Sequence, residues 1–479
     1  MKFSPTPEQL AIRDSILSGK SSLLVSALAG SAKTTTIKFA AEGMQGAAIA
    51  VAFNAKIRDE LRSALPFHFD VVTFNSAGHA AWGKYLSKKL TVDARKTYRM
   101  TEFMGRDDSR KVVMKLVDCA KALGLVPSGI PKKPTKVFMQ DSPEGWYEVQ
   151  KLAQFEELPP GAIDSARDAL SRSISEGFEG RIDFNDQIYL TCCFGANFRT
   201  APITFVDELQ DISELNLFML RKMTMRRAYG FGDQKQAIYA WRGAGTGMME
   251  RFRETFSAEE LPLTTCFRCA QAVVKEAQTY TPQMSPAPWA LPGSVKSLPE
   301  WSLDDIDPDS AVLCRNNAPL FALGFAFLAS GRPVNFHGKD LGWAIEKEIT
   351  SIAGKGTNIF KTELVAGIEA KIARLPEDLR ERLLDILEVI QAIPGEDTDS
   401  VRENLSALLS APSGDVTLAS IHGAKGLEWD KVYFLDRWRI PSKYAKTDEA
   451  RQQEFNLAYV GVTRAKVDLV YLDTGGLKK

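Results

Sequence analysis

The residues with the clearest capacity for chemistry lie in the stretch 27–35, which reads Ala-Leu-Ala-Gly-Ser-Ala-Lys-Thr-Thr. The apolar run Ser22–Ser26 precedes it, and a helical pattern follows. A loop of small residues between a strand and a helix presents backbone N–H groups that bind phosphate at the helix N-terminus. We therefore predict a phosphate-binding loop in which Lys33 contacts the β- and γ-phosphates and Thr34 binds Mg²⁺.

Two alanines separate this loop from the usual pattern G-x-x-x-x-G-K-[ST]. Ala27 and Ala32 stand where that pattern has glycine. Ala32 adds a methyl group where the backbone passes closest to phosphate, and we expect alanine to be accommodated there only if its φ is negative. For the loop taken alone, a plain connection between a strand and a helix remains the alternative.

A pair of adjacent acids, Asp207 and Glu208, follows the apolar run 203–206. Phosphoryl transfer to water needs one carboxylate to hold Mg²⁺ and a second group to orient the attacking water. Two adjacent acids at the end of a strand suit these two tasks, whereas the alternative is a solvated acid pair in a loop. Gln210 and Asp211 follow at once, which favours the functional interpretation.

Strand-like and helix-like patterns alternate around these residues, which favours a parallel α/β sheet that binds ligands at the carboxyl ends of its strands. The alternation is interrupted twice by mainly helical stretches. We predict a first α/β domain from residues 1–80 and 182–262 with a helical insertion at 81–181. A second α/β domain is predicted from residues 263–336 and 413–479, with an insertion at 337–412.

The composition is that of an ordinary globular protein, with 44% hydrophobic and 25% charged residues. Lys plus Arg and Asp plus Glu each number 60, so a polyanionic partner must be held by a local groove or by stacking. The N-terminus lacks the pattern of a signal peptide, and no stretch of eighteen apolar residues occurs. We expect a cytoplasmic protein, nuclear if the source is eukaryotic, with no membrane partner.

The six cysteines do not form the pattern of a disulfide framework. Cys266 and Cys269 make a lone C-x-x-C without a second pair. Buried reduced thiols are the favoured interpretation of this pair, with a metal or redox role as the alternative.

The segment Asp207-Glu208-Leu209-Gln210-Asp211 resembles the Asp-Glu-Ala-Gln-Asp hallmark of superfamily 1 DNA helicases of the UvrD/Rep type. Further short motifs of that family follow in order from Pro7 to Leu472. The resemblance implies a P-loop NTPase with two RecA-like parallel-sheet domains, helical insertions and an ATP·Mg²⁺ site at the domain interface. It also implies 3′ to 5′ movement on single-stranded DNA. The insertion at 337–412 is shorter than in many full-length members, which indicates a compact member of the phage, mobile-element or F-box-associated type.

The nucleotide roles are carried over to the matching positions of this sequence. Nucleotide contacts are implied for Gln9, Ala29, Gly30, Ser31, Ala32, Lys33, Thr34, Thr35, Phe267, Gly426 and Glu428. Catalytic roles are implied for Lys33, Asp207, Glu208, Gln236, Arg268 and Arg464. Thr34 and Asp207 would hold Mg²⁺. Phe267 replaces the family's tyrosine but keeps a ring that would stack on adenine, and Thr35 stands where many relatives have arginine.

The resemblance also implies a track for a single strand of DNA. Its residues are Phe53, Asn54, Thr73, Phe74, Asn75, Tyr239, Trp241, Arg242, Asn316, Ser420 and His422. Asn75 replaces the usual histidine. Aromatic side chains such as Trp241 would stack on bases without reading their sequence.

Two other functions share many of these motifs. A translocase that strips proteins from single-stranded DNA without effective unwinding would carry the same residues. An ATP-gated adaptor in a repair, recombination or defence assembly would need a damaged acid pair or missing arginines. Partners implied by the resemblance are single-stranded DNA, junctions of single and double strands, and repair, recombination or single-strand-binding proteins. RNA is a less favoured substrate.

Overall fold

The structure is a computed structural model that describes residues 4–104, 108–153, 155, 158–238, 247–337, 339–354, 356–375, 377–410 and 414–478. By its internal contacts the chain divides into two units. The first comprises residues 1–28 and 32–263, and the second comprises residues 29–31 and 264–479.

The first unit is built on a six-stranded parallel sheet with the order β3-β2-β6-β7-β1-β8. A separate parallel pair joins β4 to β5. The strands are β1 Leu23–Ala27, β2 Ala48–Ala52, β3 Phe69–Thr73, β4 Thr91–Val92, β5 Arg181–Ile182, β6 Ala201–Val206, β7 Thr224–Gly232 and β8 Glu259–Leu263. Strand β2 is buried along its whole length, as expected for a parallel sheet covered on both faces.

Helices cover both faces of this sheet, because two hydrophobic clusters bury apolar side chains on opposite sides of it. The helices are α1 Pro7–Ser18, α2 Lys33–Ala41, α3 Ala55–Ala64, α4 Phe74–Leu86, α5 Lys96–Met100, α6 Asp108–Leu123, α7 Pro143–Ala153, α8 Ala162–Glu179, α9 Asp186–Phe194, α10 Glu214–Met223 and α11 Met248–Phe256. Short 3₁₀ turns at Leu209–Asp211 and Gln234–Gln236 follow β6 and β7.

A cluster of four charged residues, Lys96, Lys121, Asp183 and Asp186, lies inside the mainly helical part of the first unit and is here called the insertion cluster. Lys121 Nζ lies 2.5 Å from Asp183 Oδ2 and 2.8 Å from Asp186 Oδ1. Lys96 Nζ lies 2.6 Å from Asp186 Oδ2 and donates to the Ser173 carbonyl at 2.6 Å. The cluster therefore ties α5, α6 and α8 to the start of α9.

The second unit contains another six-stranded parallel sheet, with the order β11-β16-β15-β12-β14-β13. Its strands, with the additional pair β9–β10, are β9 Thr265–Cys266, β10 Ser285–Pro286, β11 Ser294–Leu298, β12 Ala311–Cys314, β13 Val334–His337, β14 Val416–Ser420, β15 Trp429–Leu435 and β16 Ala465–Leu472. Its helices are α12 Gln271–Ala277, α13 Ala318–Ala329, α14 Lys339–Ala353, α15 Lys361–Ala373, α16 Glu377–Ala392, α17 Thr398–Ser410 and α18 Asp448–Val462. Four of these helices, α14 to α17, fill the stretch between β13 and β14.

The two parallel sheets with flanking helices confirm the predicted α/β fold class. The bounds predicted for the four domains stay a prediction. All six cysteines are buried and free. Among the described residues, no helix has the length and apolar character that a transmembrane span requires.

Candidate functional site

The loop after β1 turns directly into α2, which begins at Lys33. Gly30 and Ala32 both have positive φ values, 70° and 60°. The expectation that Ala32 has a negative φ is therefore wrong. The Ala32 carbonyl already accepts the first helical hydrogen bond, from Thr36 N–H at 2.9 Å, so the chain must turn sharply just before the helix. A non-glycine residue in the left-handed region costs about 1–2 kcal/mol.

Lys33 lies among carboxylates at the ends of β6 and β7, and we call Lys33, Asp207, Glu208 and Asp233 the strand-end cluster. Asp207 and Asp233 are buried, whereas Lys33 and Glu208 are partly exposed. Lys33 Nζ lies 3.3 Å from Glu208 Oε1. Asp207 Oδ1 accepts the Glu208 backbone N–H at 2.8 Å, and Asp207 is 3% exposed. The structure thus brings the predicted phosphate-binding lysine and both predicted catalytic acids together.

Gln210 links this cluster across the two strand ends. Its Nε2 donates to Glu208 Oε2 at 2.5 Å, and its Oε1 accepts the Asp233 backbone N–H at 2.9 Å. Gln236 Nε2 donates to Asp233 Oδ2 at 2.7 Å. No role was predicted for Gln210 or Asp233 from the sequence. Their position at the carboxyl ends of two sheet strands was the available signal.

The electrostatics of the strand-end cluster are unbalanced. Burial and the neighbouring charge of Glu208 raise the pKa of Asp207 to about 7. Burial also raises the pKa of Asp233. For Lys33 burial acts to lower the pKa, but the charges of Glu208, Asp207 and Asp233 outweigh it and raise the pKa. Three carboxyl groups thus face one ammonium group.

This surplus of carboxylate oxygens fits a divalent cation, since Mg²⁺ prefers oxygen ligands. Asp207 would hold the ion together with Thr34, which follows Lys33 in the first turn of α2. Ser31 Oγ is buried and has no hydrogen-bond partner among the described residues, so it suits an acceptor group such as a phosphate oxygen. Thr35 is exposed.

Gln9, a predicted nucleotide contact, is buried, and both ends of its carboxamide are hydrogen-bonded. It is 1% exposed, its Oε1 accepts the Thr6 N–H at 3.0 Å, and its Nε2 donates to Thr36 Oγ1 at 3.0 Å. Thr6 and Gln9 form a capping box at the start of α1. Pro7 is the first residue of this helix. The carboxamide therefore fixes α1 against α2, and an adenine contact by Gln9 stays a prediction.

In the second unit, the Ala29 N–H donates to Tyr459 Oη at 2.9 Å. Arg268 is held by an ion pair with Glu428, with Nε 2.5 Å from Oε2. The ring of Phe267, beside Arg268, is partly exposed. Gly426 has a φ of 86°, which suits a tight turn ahead of Glu428.

Arg464 is 1% exposed and bound to its own unit. Its Nε donates to the Val460 carbonyl and one terminal nitrogen donates to the Leu427 carbonyl, both at 3.1 Å. Burial, with the nearby charge of Arg268, lowers its pKa to about 10. The structure therefore shows a guanidinium satisfied by backbone carbonyls, and its predicted action on a γ-phosphate stays a prediction.

Among the predicted DNA contacts of the first unit, Asn54 and Thr73 cap the starts of α3 and α4 through their side-chain oxygens. Phe53 lies just after β2 and is partly exposed. Phe74 is 4% exposed and packs in the hydrophobic core of the first unit. Phe74 is the first residue of α4 and its ring lies in this core, so its predicted contact with DNA stays a prediction.

Asn75, the next residue of α4, is more accessible to a strand of DNA than Phe74. Its Nδ2 donates to the Phe184 carbonyl at 2.9 Å, and the Phe184 ring is 59% exposed. Phe184 was not singled out in the sequence, since only the folded chain brings residues 75 and 184 together.

In the second unit, Asn316 follows strand β12, and Ser420 is the last residue of strand β14. The two strands are parallel neighbours in the sheet. Ser420 Oγ accepts the Gly423 N–H at 3.2 Å and so shapes the turn that carries His422. The predicted contacts Tyr239, Trp241 and Arg242 lie outside the described residues.

Comparison with known proteins supplies the family. The family model described as the UvrD/REP helicase N-terminal domain matches residues 8–257, and the model described as the UvrD-like helicase C-terminal domain matches residues 355–472. The chain is 25% identical to the ATP-dependent DNA helicase UvrD2 of Mycobacterium tuberculosis, over 95% of this chain and 77% of that protein. A probable DNA helicase II homolog of Rickettsia conorii is 36% identical over 19% of this chain and 16% of its own length.

Solved structures of the arterivirus nonstructural protein 10 helicase, alone and with DNA, align over 96% of this chain. The chain spans only 61% and 62% of the viral chains, with TM-scores of 0.35 and 0.36 and identities of 14% and 13%. Likeness at this level supports no inference about function. The match over residues 8–257, by contrast, covers more than half of the chain and coincides with the strand-end cluster. The chain therefore belongs to the UvrD/REP helicase family and is an ATP-hydrolysing DNA helicase.

Proposed function

We propose that this protein uses ATP·Mg²⁺ to move along single-stranded DNA in the 3′ to 5′ direction and to separate strands at junctions. The observation that carries the ATP part is the strand-end cluster, in which a lysine at a helix start lies 3.3 Å from Glu208, the partly exposed acid that follows the buried Asp207. One ammonium group facing three carboxyl groups leaves negative charge that a bound cation would offset. The N–H groups of the loop would bind the phosphates.

The geometry of the first unit supports the following proposed roles. Lys33 neutralises phosphate charge at the start of α2, where the helix dipole adds to its effect. Asp207 and Thr34 would hold Mg²⁺, which would supply Lewis-acid stabilisation of the phosphate oxygens. Glu208 orients the attacking water, and Gln210 fixes the Glu208 carboxylate through its 2.5 Å hydrogen bond.

Asp233 and Gln236 extend this hydrogen-bond network beyond the acid pair. The Gln236 amide holds Asp233, which itself accepts the Lys235 N–H at 3.0 Å. We propose that Gln236 responds to the γ-phosphate and that its hydrogen bond to Asp233 exchanges as it does so. Arg268 and Arg464 act on the charge that spreads during phosphoryl transfer, as arginine side chains do in related reactions.

The DNA part of the proposal is supported by the partly exposed Phe53 and by the contact between Asn75 and Phe184. Exposed rings stack on bases without sequence preference at about 1–3 kcal/mol per base, so a neutral protein needs no long-range attraction to hold a strand. The direction of movement, the unwinding of duplexes and any repair or recombination partner rest on family membership.

The test is ATP turnover with and without single-stranded DNA, for the wild type and for Glu208→Gln. We expect DNA to stimulate the wild-type rate and the substitution to lower kcat about 10²-fold or more, because water loses its orienting carboxylate. Glu254→Gln, at an exposed acid on α11, is the matched control and keeps its rate. An unstimulated wild type, or an unchanged Glu208→Gln rate, would contradict the proposal.

Strand separation needs its own measurement, since a translocase shares the same ATP site. Duplex unwinding from a 3′ single-stranded tail, compared with a 5′ tail and with displacement of a bound protein, separates the two functions. Displacement without unwinding would identify a protein-stripping translocase.

A further inference from the structure

Trp289 is a large aromatic side chain that remains 54% exposed. Trp82, Trp146 and Trp301 are at most 1% exposed, whereas Trp343 and Trp438 are exposed like Trp289. The Trp289 ring lies against that of Phe267, with centroids 5.8 Å apart and planes inclined at 36°. No role was predicted for Trp289 from the sequence, and its exposed indole lies against a predicted nucleotide-binding ring.

The loop that carries Trp289 is fastened to the turn that carries the neighbouring ring. The Ala287 N–H donates to the Cys266 carbonyl at 3.0 Å, which continues the pairing of β9 with β10. At the other end of the loop, the Gln271 N–H donates to the Leu291 carbonyl at 2.8 Å. Because both ends of the loop are bonded to the same segment, the indole and the phenyl ring keep a defined spatial relation.

We propose that Trp289 extends the purine-binding surface predicted for Phe267, an inference that rests on the proposed function. Phe267 immediately precedes Arg268, so one short turn offers an aromatic face and a cation. A nucleotide presents the two complementary chemistries, a flat base and a chain of phosphates. Stacking depends on ring area, and the two-ring indole of Trp289 overlaps a two-ring purine better than a pyrimidine.

The geometry also indicates which faces are used. A base held between two rings needs a centroid separation of about 7 Å, twice a contact distance of about 3.5 Å. The observed 5.8 Å is too short for a third ring. The base therefore stacks on an outer face of the pair, and the exposed indole of Trp289 widens the apolar surface beside Phe267.

The first experiment measures KM and kcat for ATP in the presence of single-stranded DNA, together with inhibition by inorganic tripolyphosphate, which has no base. For Trp289→Leu we expect KM for ATP to rise about fivefold or more, with kcat within twofold of wild type and inhibition by tripolyphosphate unchanged. Trp289→Phe, which keeps a ring, recovers most of the affinity. Trp438→Leu, at an indole of the second unit that is 65% exposed, is the control and leaves KM unchanged.

A KM for Trp289→Leu within twofold of wild type overturns the proposal. An equal weakening of tripolyphosphate inhibition also overturns it, because the turn and not the base contact would then be affected.

A binding measurement that needs no turnover separates this inference from the proposed function. We expect ADP, but not pyrophosphate, to quench the tryptophan fluorescence of the wild type, and Trp289→Phe to lose that quench. A quench that persists in Trp289→Phe overturns the inference. If the wild type hydrolyses no ATP, the proposed function fails while this titration still decides the base contact.

Discussion

Two groups of lysines and carboxylates in the first unit differ in charge balance. The insertion cluster sets two lysines against two aspartates, and the strand-end cluster sets one lysine against three acids. The charges of Lys121 and Lys96 outweigh burial and lower the pKa of Asp186. In the strand-end cluster burial prevails, and the pKa of Asp207 rises to about 7.

The difference distinguishes a structural cluster from a functional one. In the insertion cluster the charges cancel, and Lys96 has a further acceptor in the Ser173 carbonyl. Such a group joins helices and has no chemical need of a ligand. The strand-end cluster retains negative charge that its own lysine does not neutralise, and this surplus is what a cation-dependent phosphoryl-transfer site requires.

The largest effect is expected from Lys121→Met, which tests whether the insertion cluster is structural. Removing one member of a buried, paired cluster leaves an uncompensated carboxylate, so we expect the free energy of unfolding to fall by about 3–5 kcal/mol. Urea denaturation measures it. Lys111→Met, at an exposed lysine on the same helix α6, is the control. A loss below about 1 kcal/mol would show that the cluster does not hold the helices together.

Lys33→Met makes the corresponding change in the strand-end cluster. It should lower activity strongly and stability only slightly. We expect kcat/KM for ATP to fall about 10²–10³-fold, because a preorganised cation is removed from the developing phosphate charge. The free energy of unfolding should change by far less than in Lys121→Met. If Lys33→Met lowers the free energy of unfolding as much as Lys121→Met does, the strand-end cluster is as structural as the insertion cluster.

A smaller, pH-dependent effect is expected at Asp118, beside the insertion cluster. Burial raises its pKa to about 6. A raised folded-state pKa contributes stability that is present below pH 3.8, the ordinary value, and that is lost as the pH rises through about 6. Asp118→Asn should therefore raise the free energy of unfolding at pH 8, because it removes a carboxylate whose burial is unfavourable. We expect a gain of only about 1 kcal/mol, because the side chain is partly exposed and solvent screens its charge.

The measurement for Asp118→Asn is urea denaturation at pH 4 and at pH 8, with the wild type alongside. The gain should vanish at pH 4. An equal gain at both values would mean that packing, and not the charge of Asp118, is responsible.

The smallest effect is expected from Ala32→Gly, in the loop that precedes Lys33. Glycine relieves the strain of a φ of 60°, so we expect the free energy of unfolding to rise by about 0.5–1 kcal/mol after the entropic cost of glycine. Ala41→Gly, at the end of the same helix α2, has ordinary helical geometry and should be destabilising. An unchanged KM for ATP in Ala32→Gly would show that the methyl group does not hinder phosphate binding.

Much of the fold was predictable because the relevant signals are local. The apolar run before residue 27, the small-residue loop and the start of α2 at Lys33 appear in the structure as the sequence predicts. The local pattern did not show whether an aromatic side chain at the end of a strand would be exposed or buried. Phe74 reads as a strand-end aromatic residue, yet it begins α4 and is buried in the core.

The candidate site was predictable only as a set of members. Asp207 and Glu208 were identified from their adjacency at the end of a strand. Asp233 and Gln210 were not, because their roles depend on a hydrogen bond between the segments that follow β6 and β7. Trp289 was missed for the same reason, since its partner ring lies 22 positions earlier in the chain.

The sequence by itself determined the α/β alternation, the family and the residue types that act on phosphate, because strand and helix periodicity and short motifs are written in consecutive residues. The tertiary structure alone decided the charge balance of each cluster, the positive φ of Ala32 and the pairing of Arg268 with Glu428. The physical reason is that burial, charge neutralisation and backbone strain depend on neighbours in space, and residues such as Lys33 and Glu208 become neighbours only when β1 and β6 enter one sheet.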